Sequence, residues 1–243
     1  IKRQISSVEN TKKITRAMNM VAAAKLRRAQ ERAENAKPFF EKTRETLAHV
    51  TAKADDKAHF LLEKRDVEKV GYIAITGDRG LCGPYNNKII KKTEQSMEED
   101  GLDNSLIAIG KKGRNHFRNY DVETISEYID LEDNPAFSTA TNIANEVIDL
   151  YEEEVVDKVY LVYTEFESVL THPVKKIQLL PIESEDITED EKVGNYLYEP
   201  SAEEVLDAVL PQYVNNIIFG ALLQSKASEF ASRMTAMDSA TEN

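Results

Sequence analysis

Residues 1–53 restrict the fold more than any other stretch of this chain. They contain no Gly and a single Pro. Small or apolar residues recur at alternating intervals of four and three: Ala22, Leu26, Ala29, Ala33, Ala36, Phe40, Thr43, Leu47 and Val50. This spacing is a heptad seam, and it predicts one long helix with a single stripe laid against a partner helix. Upstream, Ile14, Met18 and Val21 keep the interval one residue out of phase, which predicts a local register shift. At about 1.5 Å per residue the helix would reach roughly 80 Å, longer than the core of one globular domain. An alanine-rich seam also lets the partner approach closely.

The partner stripe lies at the other end of the chain. Ser201 is placed to cap a helix, and Glu203 and Glu204 fall in its first turn, where the helix dipole favours acids. Leu206, Leu210, Tyr213 and Ile217 hold the four-three spacing, as do Leu223, Ala227, Phe230, Met234 and Met237. Pro211 sits inside this run and is expected to kink it. The run reaches Asn243 with no breaker, so the chain is expected to stop within the helix. Two long amphipathic ends are satisfied together by an antiparallel coiled coil of the segments 1–53 and 201–243.

The middle, 54–200, changes period. Val70–Ile75 reads as a buried strand, followed by a glycine-bearing turn and a helix over 85–99. A strand at Leu106–Ile109, a short helix near 111–118 and a weak strand near Val122–Ile125 come next. Asp133-Asn134-Pro135 marks a turn before a helix over 137–153. Lys158–Phe166 and Val174–Ile182 read as antiparallel strands joined across Ser168–His172. Strands alternating with helices predict a small Rossmann-like α/β domain with a mixed sheet. A polar linker over 54–68 and an acidic, poorly periodic segment over 183–200 flank it. The fold class expected is therefore α/β, inserted into a two-helix shaft.

Charge divides along the same lines. Residues 1–53 carry thirteen Lys and Arg against five Glu, a net +8. The remainder has 18 basic and 38 acidic residues, a net −20. A basic rod on an acidic body points to an acidic partner for the rod. The basic residues lack interleaved aromatics, which argues against nucleic acid. The sequence has no apolar run of 18 residues, so no membrane insertion is expected. Cys82, the single cysteine, has no internal disulfide partner, which favours a reducing compartment.

The motif closest to chemistry is Gly77-Asp78-Arg79-Gly80-Leu81-Cys82-Gly83, after a strand and before a helix, where phosphate loops sit. It is neither GxGxxG nor a Walker loop, and Asp78 would repel an anion. The four His residues (His49, His59, His116, His172) are scattered, so no metal site and no base for Cys82 is expected. No catalytic residue, cofactor or metal is assigned. The alternative reading is a nucleotide-handling α/β enzyme with a coiled-coil handle.

Four stretches, in order, resemble the gamma-subunit family of F-type ATP synthases: KKITRAMNMVAAAKLRRAQ, DRGLCG, YLYEPSAEEVLDAVLPQY and ASEFASRMTAMDSATEN. The resemblance covers nearly the whole chain. It implies a non-catalytic central stalk, one copy per complex, peripheral at the cytoplasmic face of a bacterial plasma membrane. Proton- or sodium-driven rotation of a ring of c subunits would pass through it to a hexamer of alpha and beta subunits, where the beta subunits make ATP. Family members are expected to carry a few residues before Ile1 and a further length of helix after Asn243.

The resemblance also implies roles for particular residues. Met18, Lys25, Arg28, Glu229 and Arg233 match the neighbourhood of the beta subunits' acidic loop. Tyr196, Tyr198 and Glu199 match a segment near the c ring and the epsilon subunit. If Met18 and Arg233 lie at one level, Ala33 falls near Ile218, Phe40 near Pro211, and Asn243 opposite Val8.

Overall fold

The computed structural model describes residues 1–51, 59–120, 122–183 and 202–243. Residues 52–58, residue 121, the acidic segment 184–200, Ser201 and the side chain of Val50 lie outside the described residues. So do Tyr196, Tyr198 and Glu199.

Helix α1 (Lys2–Thr51) and helix α5 (Ala202–Glu242) run antiparallel as a two-helix shaft. Both pass uninterrupted through an internal proline, Pro38 and Pro211. Between them lie β1 (Lys69–Ile75), α2 (Tyr85–Asp100), β2 (Asp103–Ile109), α3 (Lys111–Phe117) and β3 (Glu123–Tyr128). Then follow α4 (Phe137–Glu152), β4 (Lys158–Thr164) and β5 (Val174–Leu180). The sheet order is β3-β2-β1-β4-β5. Its first four strands are parallel, and β5 pairs antiparallel with β4. The sheet is mixed, as the alternation of strands and helices predicts.

Alternate strand residues serve two cores, because successive side chains leave opposite faces of a strand. Val70, Tyr72, Ala74, Leu106 and Val162 face α2, packing with Ile89 and Met97. Ile73, Ile75, Ile107, Ile109 and Leu161 face the other way, onto Ile143 and Val147 of α4 and Leu206, Leu210, Val214 and Ile218 of α5. Leu47 of α1 belongs to the same core. The root of the shaft is thus built into the body. By length and composition alone α5 could cross a bilayer, but Leu206, Leu210, Val214, Ile218 and Leu222 are covered by protein.

Two expectations about the seam are corrected. No phase shift occurs upstream: Thr15 is buried, Asn19 donates to the Met234 carbonyl at 3.0 Å, and Ala22 is buried. Ile14 and Val21 point outward, 60% and 54% exposed. The heptad continues in phase, carried by polar residues that an apolar pattern cannot show. Thr15 completes it by bonding Thr241 at 2.7 Å.

The register is also displaced. Phe40 meets Phe219 edge-on at 6.2 Å and lies against Gly220, while Asn216 donates to Thr43 at 2.9 Å. Relative to Phe40 opposite Pro211, this is a slide of roughly two helical turns along α5, shrinking to little over one turn near Thr15. Arg233 explains the error. It turns away from α1 and donates to the Gly80 carbonyl at 3.3 Å, so it does not mark the level of Met18. What sets the register is fit: a Cβ at position 220 would come within 3.3 Å of the Phe40 ring, so the ring sits where α5 has no side chain. Phe40→Ala is expected to cost about 2 kcal/mol, read as a lowered urea midpoint with an unchanged slope.

Candidate functional site at the root of the shaft

The chain order reverses between β1 and β4: β1 leads through α2 to β2 on one flank, while β3 leads through α4 to β4 on the other. In an open α/β sheet, the crevice beyond the carboxyl ends of such strands is where ligands bind. Here it is filled by α5. Ser225 Oγ accepts from the Thr164 amide and Ser228 Oγ donates to the Thr164 carbonyl, both at 3.4 Å, at the end of β4. Tyr85, opening α2, donates to the Ser225 carbonyl at 3.1 Å. Gln224 accepts from the Phe166 amide at 2.9 Å. The space left in the crevice is about 10 Å³, room for one water at most.

The protein's own carboxylates stand where an anion would. Glu229 abuts Gly77, where a Cβ would lie 3.0 Å from its carboxyl carbon. That contact is the reason for glycine after the strand. Asp78 accepts from the amides of Lys111 and Asp130 at 3.0 and 3.1 Å, so it occupies the start of α3. Asp78 thus sits at the start of α3 and not of α2, whose N-terminus at Pro84 has no side-chain cap. Cys82 is buried, and burial pushes its thiol above the usual range. Asn86 donates to its sulfur at 3.2 Å. It is a packing residue.

Glu229 is held between two cations. Arg233 lies 2.7 Å away and Lys226 3.6 Å away, with side-chain exposures of 12% and 13% against 6% for Glu229. Arg233 thereby joins the helix to the loop at Gly80. Of the residues expected near a stator, Glu229 and Arg233 are turned inward, Met18 is half-buried, and Arg28 is exposed. Lys25 pairs with Asp133 at 2.5 Å and lies 5.8 Å from the centre of the Phe230 ring. That pair ties α1 to the turn before α4, and Lys25, Lys226 and Arg79 together hold the Asp133 carboxyl below its usual range against its partial burial. Ser225, Ser228 and Asp133 were missed in the sequence. The available signal was polar: Ser225, Ser228, Glu229 and Ser232 recur at helical spacing on an otherwise apolar helix, which marks a second buried face.

The β4–β5 hairpin closes over the same helix. His172 Nε2 and Ser232 Oγ are 2.7 Å apart, and His172 Nδ1 is buried without a partner. Burial lowers the His172 pKa below 6.5 and nearby Lys88 lowers it further, while the backbone at Ser168 opposes both. The unfolded chain therefore takes up the proton more readily. This contribution to stability is complete above the unfolded pKa and declines as pH falls through about 6.5. His172→Gln should flatten the dependence of unfolding free energy on pH between about 5 and 7. His59, also lowered by burial, sets the residual slope.

The chain is thus a long antiparallel shaft rooted in an α/β body, with the crevice at the strand ends closed by the shaft. The ATP synthase family model matches residues 1–243. ATP synthase gamma chains from Halothermothrix orenii and Desulfitobacterium hafniense are 48% and 47% identical. Each match covers all of this chain, and 86% and 85% of the respective relatives. The central stalk of the Tetrahymena thermophila mitochondrial ATP synthase superposes with a TM-score of 0.72 at 29% identity, covering 93% of this chain and 99% of that one. The chain belongs to the ATP synthase family, among relatives that are gamma chains.

Proposed function

We propose that this chain is the rotary shaft of an ATP synthase and carries no catalytic site of its own. Its body would stand on the ring of c subunits and bind the epsilon subunit. Its coiled coil would enter a hexamer of alpha and beta subunits, one copy per complex, at the cytoplasmic face of the membrane. The observation that carries this reading is the crevice: the one place where such a fold holds a nucleotide is occupied by Ser225, Ser228 and Glu229. The enzyme alternative has no room for its ligand in that crevice, where about 10 Å³ is left. The outward residues of α1, among them Ile14, Met20, Val21 and Arg28, form a mixed apolar and basic surface suited to an acidic stator. Met18, Lys25 and Arg28 remain candidates for that contact. Glu229 and Arg233 would act indirectly, by fixing the Gly77–Gly83 loop, whose Leu81 is 65% exposed. Tyr196, Tyr198 and Glu199 are proposed for the ring and epsilon side.

The test is reconstitution. Purified chain alone should show no ATP turnover. Added to an alpha–beta hexamer lacking its stalk, it should restore ATP-driven rotation, and the on-rate should fall as salt rises. Turnover by the chain alone that disappears in a Gly80 or Asp78 variant would overturn the reading.

A further inference from the structure

The β4–β5 hairpin continues past the sheet and lies along the shaft. Beyond Thr164 and Val174 the two arms stay joined: the Glu165 amide donates to the Pro173 carbonyl at 3.0 Å, and the Glu167 and Ser168 amides donate to the Thr171 carbonyl at 3.2 and 2.9 Å. Phe166 and Val169 pack against an apolar cluster shared by both helices, Leu26 and Ala29 of α1 with Ala227, Phe230 and Ala231 of α5. Leu170, at the tip, is 84% exposed. The tip is therefore a strap across the shaft, and His172 is its polar latch, bonded to Ser232 of α5 at 2.7 Å.

This latch has no place for a second ring proton. Nδ1 is buried without a partner, so the neutral ring carries its proton on Nε2 and donates it to Ser232 Oγ. Protonation creates a second N–H at Nδ1, a desolvated donor with no acceptor. Groups from each packed element act on the ring. From α2, Lys88 disfavours the cation, and from α5 the ring meets the neutral Ser232 hydroxyl. Within the hairpin, the Ser168 backbone favours the cation without bonding Nδ1, and Glu165 is engaged by Lys175 at 3.2 Å. The charged ring is satisfied by water, which lies close because His172 is only partly buried.

We propose that the hairpin is a pH-gated strap: proton uptake by His172 lifts residues 167–173 away from α1 and α5. The ring swings into water, and Val169 leaves the apolar cluster with it. Opening is local. Gln224 still holds the Phe166 amide, and Ser225 and Ser228 still hold Thr164 at the root of the hairpin. The sign follows from the ring. A free imidazole titrates near 6.5, and the latched one titrates lower, so protons favour the open form. Between those two values the ratio of open to closed rises about tenfold per pH unit, and it levels off below the lower one. The strap is shut in neutral and alkaline medium and loosens as the medium acidifies. This device does not depend on the shaft function; in a rotating assembly it would soften the body's hold on both helices at low pH.

The strap can be followed in the purified full chain. Spin labels are placed through Leu170→Cys at the tip and Asn35→Cys on α1, both exposed, while buried Cys82 stays unlabelled. Distances between the labels are recorded by pulsed electron paramagnetic resonance from about pH 8 to about pH 6, the range that brackets the free ring. One short distance is expected at the alkaline end, and a longer population should grow severalfold toward the acid end. His172→Gln, uncharged throughout, should keep a single distribution. Lys88→Gln should move the change to lower pH, because the latched ring then tolerates its proton better. A wild-type distribution that does not change with pH, or a change of equal size in His172→Gln, would overturn the proposal. If His172→Gln does not fold, Lys88→Gln carries the comparison, and an unmoved midpoint there overturns it as well. None of these outcomes bears on ATP-driven rotation, so failure of the strap and failure of the shaft function are distinct.

Discussion

Glu229→Ala is expected to lower the unfolding free energy by about 3–5 kcal/mol, the cost of leaving buried cations without their counter-charge. Arg233 and Lys226 both depend on this carboxylate, and neither has much access to water. Arg233 also donates to Gly80, so its release would loosen the loop between β1 and α2. Urea unfolding of the purified chain reads the loss directly. Charge, not volume, is the cause, and a second variant separates the two. Replacing Glu229 by Leu together with Lys226→Met and Arg233→Met should recover most of the stability, because an apolar cluster of similar size has no charge left to strand. Failure of the triple variant to recover would show that the carboxylate contributes through packing against Gly77.

Gly110→Ala should be at least as damaging, about 4 kcal/mol or outright failure to fold. Gly110 has φ near 89°, a region closed to most side chains. A Cβ there would lie 2.2 Å from the Thr76 carbonyl oxygen and 2.7 Å from its carbon. Those are backbone atoms at the carboxyl end of β1, and Thr76 is itself fixed by its N–H donating to the Ile109 carbonyl and by the Gly113 N–H donating to its hydroxyl. Nothing there can yield. Gly101→Ala is the control. It also has positive φ, 63°, but nothing within 4 Å of the added methyl, so only the conformational cost of about 1–2 kcal/mol remains. Thermal melts of the two variants should differ accordingly.

Regular elements were legible where periodicity is a local property. Ile73, Ile75 and Leu161, with alternate neighbours on the other face, announce strands, and Gly101 closes α2 in the left-handed conformation that C-terminal caps use. The shaft was legible as a heptad, and its antiparallel pairing followed from two stripes at opposite ends of one chain. Its register was not. Register depends on which bulky residue meets which gap, and Phe40 against Gly220 is a relation between two distant positions that neither stripe reveals alone. The phase near the tip was misread for a different reason: Thr15 and Asn19 hold the seam with hydrogen bonds, so following apolar residues led to Ile14 and Val21 on the outer surface. The joint between shaft and body was hidden because its working residues are serines. A serine in a sequence does not announce burial, and Ser225 and Ser228 acquire meaning only when Thr164 arrives beside them. The loop DRGLCG was visible as a turn, but the occupant of its crevice comes from 140 or more residues away in the chain.

The core shared by Leu47, Ile73, Ile143, Leu206, Leu210 and Ile218 makes the molecule one cooperative unit despite its shape. A rod joined to a globule by a linker can lose one part and keep the other. Here α4 covers only part of one face of the sheet and α5 completes it, and α5 has no second wall unless the strands are present. Folding must therefore bring together the two ends of the chain before either the sheet or the shaft is complete, which makes the slowest contacts to form those farthest apart in sequence. Newly made chains would wait, with the sheet half covered, until the last helix is synthesised.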